Sequence, residues 1–161
     1  MKSSFERDAA FALACLVPAA LLGGAVFSQF AFGLVPCEMC WWQRYPHMAA
    51  LVLAALGWMA RKGRGGDAFI ALAAISLGIS GLIGAFHAGV EYHWWQGITA
   101  CTQTTKLGND PLAAISAAPL VRCDVAPWSL FGISLAGYNF LISTSCAALI
   151  LGLLRRARRG K

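Results

Sequence analysis

Four long stretches without Asp, Glu, Lys or Arg occupy most of this 161-residue chain. They cover residues 9–37, 45–60, 68–90 and 125–154. About 20 apolar residues in a helix cross the hydrocarbon core of a bilayer, so three of these stretches are long enough by themselves. The second becomes long enough when it is extended back to residue 41, which places Arg44 in its first turns. The chain therefore has too few polar segments for a water-soluble fold.

We predict one all-α membrane domain, residues 1–161, built as a four-transmembrane-helix bundle. The predicted spans are about 9–32, 41–60, 68–90 and 129–153, with external loops at 33–40 and 91–128. Within the second loop, Asn109-Asp110-Pro111 is typical of a helix start. Apolar residues follow it, so we expect a short helix on the membrane surface there.

The first stretch could instead be a cleaved signal peptide. Lys2 and Arg7 precede it, and Ala31-Phe32-Gly33 loosely resembles a cleavage site. The apolar region of a signal peptide has roughly 7–15 residues, and this uncharged stretch is much longer. We therefore interpret it as a membrane span.

Basic residues indicate the orientation of the spans. Ten of the 13 Lys and Arg residues lie in the amino end, the 61–67 turn and the carboxyl tail. The other side of the membrane has only Arg44, Lys106 and Arg122. Because cytoplasmic segments carry the excess of Lys and Arg, both termini are predicted to be cytoplasmic. The net charge of +6 then reflects topology, and it gives little support to nucleic-acid binding.

The six cysteines fall in three places on this map: Cys37 and Cys40 in the first external loop, Cys101 and Cys123 in the second, Cys15 and Cys146 inside spans. Two pairs thus face the compartment in which disulfides persist. The two cysteines inside spans are interpreted as small packing residues, because an apolar environment keeps a thiol unreactive.

The segment Cys37-Glu38-Met39-Cys40 is a C-x-x-C motif, which can alternate between dithiol and disulfide. Cys40 is predicted near the amino terminus of the second span, where the helix dipole favours a thiolate. Arg44 lies one turn deeper on the same face. A helix dipole and a guanidinium together would stabilise a thiolate or the oxyanion of a reduced ring. Redox chemistry at a bilayer is the leading hypothesis, although Arg44 could instead extend to the headgroups.

Two interpretations without redox chemistry compete for the four external cysteines. Zinc sites of four cysteines usually combine two short C-x(2–4)-C motifs, and Cys101 and Cys123 are too far apart to supply the second. We therefore expect no metal. Two static disulfides that stabilise the loops stay possible.

The third span adds two kinds of polar feature. Small residues recur every four positions and favour close helix contact, namely Ser76, Ser80, Gly84 and Ala88. His87 and Glu91 share a face near the external end, and His87 could hydrogen-bond a bound ring or simply pack between helices. His47, which shares a face with Cys40, is a weaker candidate.

A family resemblance rests on three of these features. Pro36-Cys-x-x-Cys-x-x-Gln-Arg44, the segment His87-Ala-Gly-Val-Glu91, and the cysteine pair of the second loop resemble the bacterial disulfide bond formation protein B (DsbB) family over essentially the whole chain. The resemblance implies a thiol:quinone oxidoreductase of the bacterial inner membrane. It would reoxidise a periplasmic thioredoxin-like DsbA partner and pass the electrons to ubiquinone or menaquinone.

The resemblance also implies a role for each site residue. Cys101 would form the mixed disulfide with the soluble partner, and Cys123 would be the residue to which Cys101 is otherwise bonded. Cys37 would exchange with Cys123, and Cys40 would face the quinone. Arg44 would hold a quinone oxygen, and His87 would lie beside the ring. The spacing of the second-loop cysteines varies within the family. The resemblance therefore leaves open whether the partner is a general thiol oxidant or a specialised one.

Two other functions are compatible with the sequence. Vitamin-K-epoxide-reductase-like quinone reductases also use four helices, but their ring-side C-x-x-C lies near the last span, whereas here it follows the first. A membrane assembly scaffold with two structural disulfides is the alternative without catalysis.

Overall fold

The computed structural model describes residues 2–63, 65–102 and 121–160. Four α-helices account for most of them: α1 Lys2–Phe32, α2 Glu38–Met59, α3 Gly65–Glu91 and α4 Leu135–Arg159. The predicted surface helix after Asn109 lies outside the described residues. The chain is therefore mostly helical, as predicted.

Three of the described helices, α1, α3 and α4, are long and apolar enough to cross a membrane. This makes the chain a multi-pass membrane protein. The helix α2 has Gln43, Arg44 and His47 in its first half, and these residues lower its mean hydropathy. The assignment of α2 as the fourth span therefore stays a prediction.

The helix of the fourth predicted span begins at Leu135, later than the approximate start at residue 129. Residues from 129 onward were expected to be helical, but β1 (Ser129–Leu130) and β2 (Ile133–Ser134) pair as an antiparallel hairpin. The chain reverses at Phe131 and Gly132, whose φ angles of 50° and 77° suit a two-residue turn. Ser134 then caps α4, because its Oγ accepts a hydrogen bond from the Gly137 N–H at 3.1 Å. The absence of charge could not show where the helix begins.

Small and aliphatic side chains fill the core between the helices. Its buried members come from all four helices, namely Ala10, Phe11, Ala14, Ala50, Ala54, Ile70, Ala73, Ala74, Leu77, Ile150 and Leu154. Cys15 and Cys146 pack against this cluster, as expected for packing residues. Helices in lipid associate through close van der Waals contact, and alanines allow that approach.

The small-residue stripe of α3 lies at helix contacts. Ser76 Oγ donates to the Pro46 carbonyl at 2.9 Å. A Cβ added at Gly84 would lie 2.8 Å from the Ala136 carbonyl oxygen of α4. Gly81, which is outside the predicted stripe, is equally close to α4 at Thr144. The helix α3 therefore packs against both α2 and α4.

Polar contacts join the helices at the end opposite to the C-x-x-C motif. Arg7 Nε donates to Asp67 Oδ1 at 2.6 Å, and its Nη2 donates to the Arg61 carbonyl at 2.7 Å. A Cβ at Gly160 would lie 3.2 Å from the Cβ of Ser3. The amino end, the 61–67 turn and the carboxyl tail thus meet at one end of the bundle.

The close approach at Gly84 gives a stability prediction. Gly84→Ala should lower the free energy of unfolding by about 1–3 kcal/mol, because the added methyl meets backbone atoms of α4. Gly152→Ala is the matched control, since nothing lies within 4 Å of a Cβ there. Thermal unfolding of both variants in detergent micelles is the measurement, and equal midpoints would contradict the packing.

Candidate active site

The C-x-x-C motif lies at the amino terminus of α2, as predicted. Cys37 is the N-cap residue, and its Sγ accepts a hydrogen bond from the Cys40 N–H at 3.2 Å. Both thiols are free, with their Sγ atoms 2.7 Å apart. The hydrogen bond with Cys40, together with burial, raises the pKa of the Cys37 thiol above its usual value. The hydrogen bond and burial therefore both favour the protonated form of Cys37.

The second cysteine pair is oxidised. Cys101 and Cys123 form a disulfide, and the Cys123 N–H donates to the Cys101 carbonyl at 3.1 Å. The structure thus contains the pairing that the family resemblance implies. The exposed fraction is 7% for Cys101 and 0% for Cys123, so Cys101 is the more accessible end of the bond.

The two cysteine pairs meet in a buried cluster. Cys37 Sγ, a ring nitrogen of His87 and Cys123 Sγ all lie within 4.8 Å of one another. Met39 and Val90 pack around them. Because Cys123 is bonded to Cys101, its sulfur has no negative charge to offer a metal ion. The arrangement instead brings a dithiol and a disulfide close enough to exchange after a small movement.

His87 lies between these sulfurs. The amide nitrogen of Gln43 is 2.9 Å from His87 Nδ1, and an amide nitrogen can only donate. The proton of the neutral ring is therefore on Nε2, which is 3.2 Å from the Cys123 carbonyl and 3.7 Å from Cys37 Sγ. His87 also lines the cavity described below, so both a ring-side role and a role in sulfur exchange are geometrically open.

Arg44 turns into the bundle and not toward the headgroups. Its Nη1 donates to Gln29 Oε1 at 2.8 Å and its Nη2 to the Ala25 carbonyl at 3.1 Å, both in α1. The guanidinium carbon lies 5.1 Å from the ring centroid of Trp41. The side chain is buried, so the geometry favours an internal function over headgroup contact.

A cavity of about 320 Å³ lies next to the thiol pair. Its polar lining includes Cys40, Arg44, His47, His87 and Glu91. Most of the remaining wall is apolar, with Ala20, Leu21, Leu22, Ala25, Leu34, Val35, Pro36, Pro127, Leu135 and Ala136. An apolar cavity with few polar groups is typical of a small-molecule site.

Two buried polar atoms that line this cavity lack a partner within the described ranges of the chain. Among the described residues, His47 Nε2 and Glu91 Oε2 are the buried side-chain nitrogen or oxygen atoms without a hydrogen bond, and both residues line the cavity. Unpaired buried polar atoms are rare because they lose hydration without replacement. Their common location indicates that the cavity binds a molecule with polar atoms.

The sequence analysis missed several polar residues that shape this site. Asn139 of α4 donates to Gln43 Oε1 at 2.8 Å and to the Ser80 carbonyl at 3.1 Å. Gln29 was missed as the partner of Arg44. Each amide lies in or beside an apolar span, where burying a polar side chain in lipid costs free energy. That unusual position could have identified both residues from the sequence.

Membrane helices that bring a C-x-x-C dithiol against a buried disulfide define a membrane-embedded disulfide oxidoreductase. Residues 7–153 match the family model described as "Disulfide bond formation protein DsbB". The chain belongs to this family, whose members are disulfide oxidoreductases.

Curated relatives agree with this membership. The chain is 32% identical to "Disulfide bond formation protein B" of Verminephrobacter eiseniae, over 94% of this chain and 86% of that protein. It is 29% identical to the protein of the same name in Aromatoleum aromaticum, over 98% of both. "Disulfide bond formation protein B 2" of Pseudomonas syringae pv. syringae is 32% identical, over 88% and 84%. No solved structure matches the chain significantly.

The proximity of Cys37 and Cys123 can be tested by trapping. The double variant Cys40→Ala, Cys101→Ala leaves these two thiols without their partners, and they should form a disulfide under mild oxidation because their sulfurs lie within 4.8 Å. A protease site placed in the 61–67 turn allows the measurement, since the two halves stay joined on a non-reducing gel only through this bond. Adding Cys37→Ala is the control and should release the halves. Separate halves in the double variant would contradict the cluster.

Proposed function

We propose that this protein is a thiol:quinone oxidoreductase of the bacterial inner membrane. It reoxidises the dithiol of a periplasmic DsbA-like thioredoxin-fold protein and passes the electrons to ubiquinone or menaquinone. The observation that carries the proposal is the buried cluster in which Cys37 and Cys123 lie within 4.8 Å, beside a cavity that Cys40 and Arg44 line.

The proposed topology has four spans, with α2 as the second, and both termini in the cytoplasm. The excess of Lys and Arg at the termini and the 61–67 turn supports this orientation. The Arg7–Asp67 ion pair supports it too, because it joins the amino end to the start of α3. Both cysteine pairs are then periplasmic, where disulfides persist.

In the first exchange, a thiolate of the partner attacks Cys101. This sulfur is less buried than Cys123, and attack there forms a mixed disulfide and releases Cys123 as a thiolate. The Nε2–H of His87 is close enough to the sulfur cluster to stabilise that negative charge.

In the second exchange, the Cys123 thiolate attacks Cys37 of an oxidised Cys37–Cys40 pair. Cys40 leaves as a thiolate at the amino terminus of α2, where the helix dipole stabilises it. The partner's second thiol then resolves the mixed disulfide at Cys101, and Cys101 in turn resolves the Cys37–Cys123 bond. Two electrons and two protons have thus moved from the partner to Cys37 and Cys40.

The cavity residues fit a quinone. Its apolar wall suits a ring and an isoprenoid tail, and Arg44 has N–H groups beyond its two bonds to α1 that can donate to a ring oxygen. When bound, the quinone supplies a two-electron, two-proton acceptor. Arg44 would hold a ring oxygen, while Cys40 would present its sulfur to the ring.

The two alternatives have less support. A pair of structural disulfides gives no function to the cavity beside Cys40 or to the two unpaired polar atoms that line it. A vitamin-K-epoxide-reductase-like protein disagrees with the order of the motifs and with the family match over residues 7–153.

Cysteine variants test the proposed electron route. Cys101→Ala should abolish mixed-disulfide capture of a reduced DsbA-like protein, yet leave Cys37 and Cys40 oxidisable by added quinone. Cys40→Ala should stop quinone reduction, because no sulfur then faces the cavity. Acid-quenched thiol trapping measures the first result and quinol absorbance the second. Cys15→Ala is the control and should retain activity, and loss of activity there would contradict the assignment.

Arg44→Gln tests the proposed contact between Arg44 and a quinone oxygen. Hydrogen bonds to a charged group contribute about 1.5–3 kcal/mol, and about 1.4 kcal/mol is a factor of ten. Quinone-dependent turnover should therefore fall about tenfold to a hundredfold. Exchange between Cys101 and a reduced partner should change much less. Turnover measured at several quinone concentrations decides the question.

Gln29→Met is the control for this variant. It removes the Gln29 acceptor but keeps the charge of Arg44, so a purely structural role for the Arg44–Gln29 bond predicts equal losses in both variants. Unchanged turnover in Arg44→Gln would remove the assignment of Arg44 to the quinone.

A further inference from the structure

His47 has an unpaired buried nitrogen, and the proposed exchange between the cysteines does not involve this atom. His47 is buried in α2 and lines the same cavity as Cys40 and Arg44. It lies three residues beyond Arg44, which is about 4.5 Å further along the helix axis. Its position is therefore deeper in the bundle than that of the thiol pair.

Hydrogen bonds fix which nitrogen of His47 carries the proton. Nδ1 lies 2.9 Å from the Gln43 carbonyl, and a carbonyl oxygen can only accept. Nδ1 also lies 2.6 Å from Ser80 Oγ, whose own proton goes to the same Gln43 carbonyl at 2.8 Å. Nδ1 is therefore the protonated nitrogen, and Nε2 of the neutral ring has a free lone pair.

Nε2 needs a donor that the described part of the chain does not supply. It is buried and has no hydrogen-bond partner among the described residues. The second unpaired atom at the cavity, Glu91 Oε2, belongs to a carboxyl group and is also an acceptor when ionised. Arg44, by contrast, supplies donors only. A ligand that pairs all of these atoms must therefore accept a hydrogen bond from Arg44 and donate hydrogen bonds to the unpaired acceptors.

The two redox states of a quinone differ in this property. The oxidised ring has two carbonyl oxygens, which can only accept. The reduced ring has hydroxyl groups, which accept and donate. A lone pair facing a carbonyl oxygen is unfavourable, whereas a lone pair facing a hydroxyl forms a hydrogen bond.

We propose that His47 is a ring-binding residue whose Nε2 accepts a hydrogen bond from the reduced, hydroxyl-bearing quinone, so that the cavity binds the reduced ring more tightly than the oxidised ring. This inference rests on the proposed function and adds a residue and a redox preference to it. The contact forms only when the ring oxygen gains its proton, and it therefore favours electron flow from Cys40 to the ring. A tenfold preference raises the midpoint potential of the bound two-electron couple by about 30 mV.

Two substitutions separate this role from packing. His47→Asn places an amide where Nδ1 stands, so it can keep the bonds to Gln43 and Ser80, but it removes Nε2. His47→Gln places an amide oxygen near the Nε2 position and can still accept a hydrogen bond from the ring. Both are compared in a Cys40→Ser parent, which binds but cannot transfer electrons. His93→Gln, at an exposed histidine outside the cavity, is the matched control.

Dissociation constants are measured for a ubiquinone with a decyl tail and for its quinol. Tagged protein is captured from micelles without oxygen at several ligand concentrations, and the bound ligand is extracted and quantified. The parent should prefer the quinol, His47→Asn should lose about threefold to tenfold of that preference, and His47→Gln and His93→Gln should retain most of it.

Three outcomes would overturn the inference. They are a parent without preference, a full preference in His47→Asn, and equal losses in His47→Asn and His47→Gln, which would make His47 a packing residue. Absence of binding by either ligand to the parent would instead contradict the quinone site of the proposed function. The thiol-trapping experiment on Cys101→Ala would still report on the sulfur route in that case.

Discussion

The hydrogen bonds of Gln43 connect three helices at the level of the sulfur cluster. Its amide nitrogen donates to His87 of α3 and its amide oxygen accepts from Asn139 of α4. Away from water, each unmade bond in such a network would cost about 1–3 kcal/mol, so the amide has little freedom to turn. Its orientation sets the tautomer of His87, which in turn directs an N–H at the sulfur cluster. The chemistry at the sulfurs thus depends on one neutral side chain in the interior.

Much of the fold could be predicted from the sequence because the membrane leaves few options. A long run without charge forms a helix in lipid, since a helix satisfies its own backbone hydrogen bonds. The C-x-x-C motif could be placed because the first span ends just before it. The start of α4 could not be predicted in this way. The hairpin before it is as free of charge as residues 135–154 of the helix, and only Gly132 and the capping Ser134 distinguish the two.

The candidate site could be predicted only where a residue type is chemically unusual. Cysteines and an arginine at membrane depth are conspicuous, and these were identified. The roles of Gln43 and Asn139 depend on which helix faces which, and that information is absent from a single helical pattern. His47 was a weak candidate for the same reason. Its importance comes from an unpaired nitrogen, which is visible only when all neighbours of the ring are known.

The short connection between α1 and α2 has a further consequence. The helix α1 ends at Phe32, Gly33 follows with a φ angle of 66°, and α2 begins at Glu38. A connection of only five residues restricts the movement of the C-x-x-C pair, so the pair stays next to the cavity. In the proposed function, the recognition of a soluble partner therefore falls to the second loop, while the choice of electron acceptor falls mainly to the helices that line the cavity. Substitutions in the second loop can therefore change the soluble partner of such an enzyme while the quinone that it reduces stays the same.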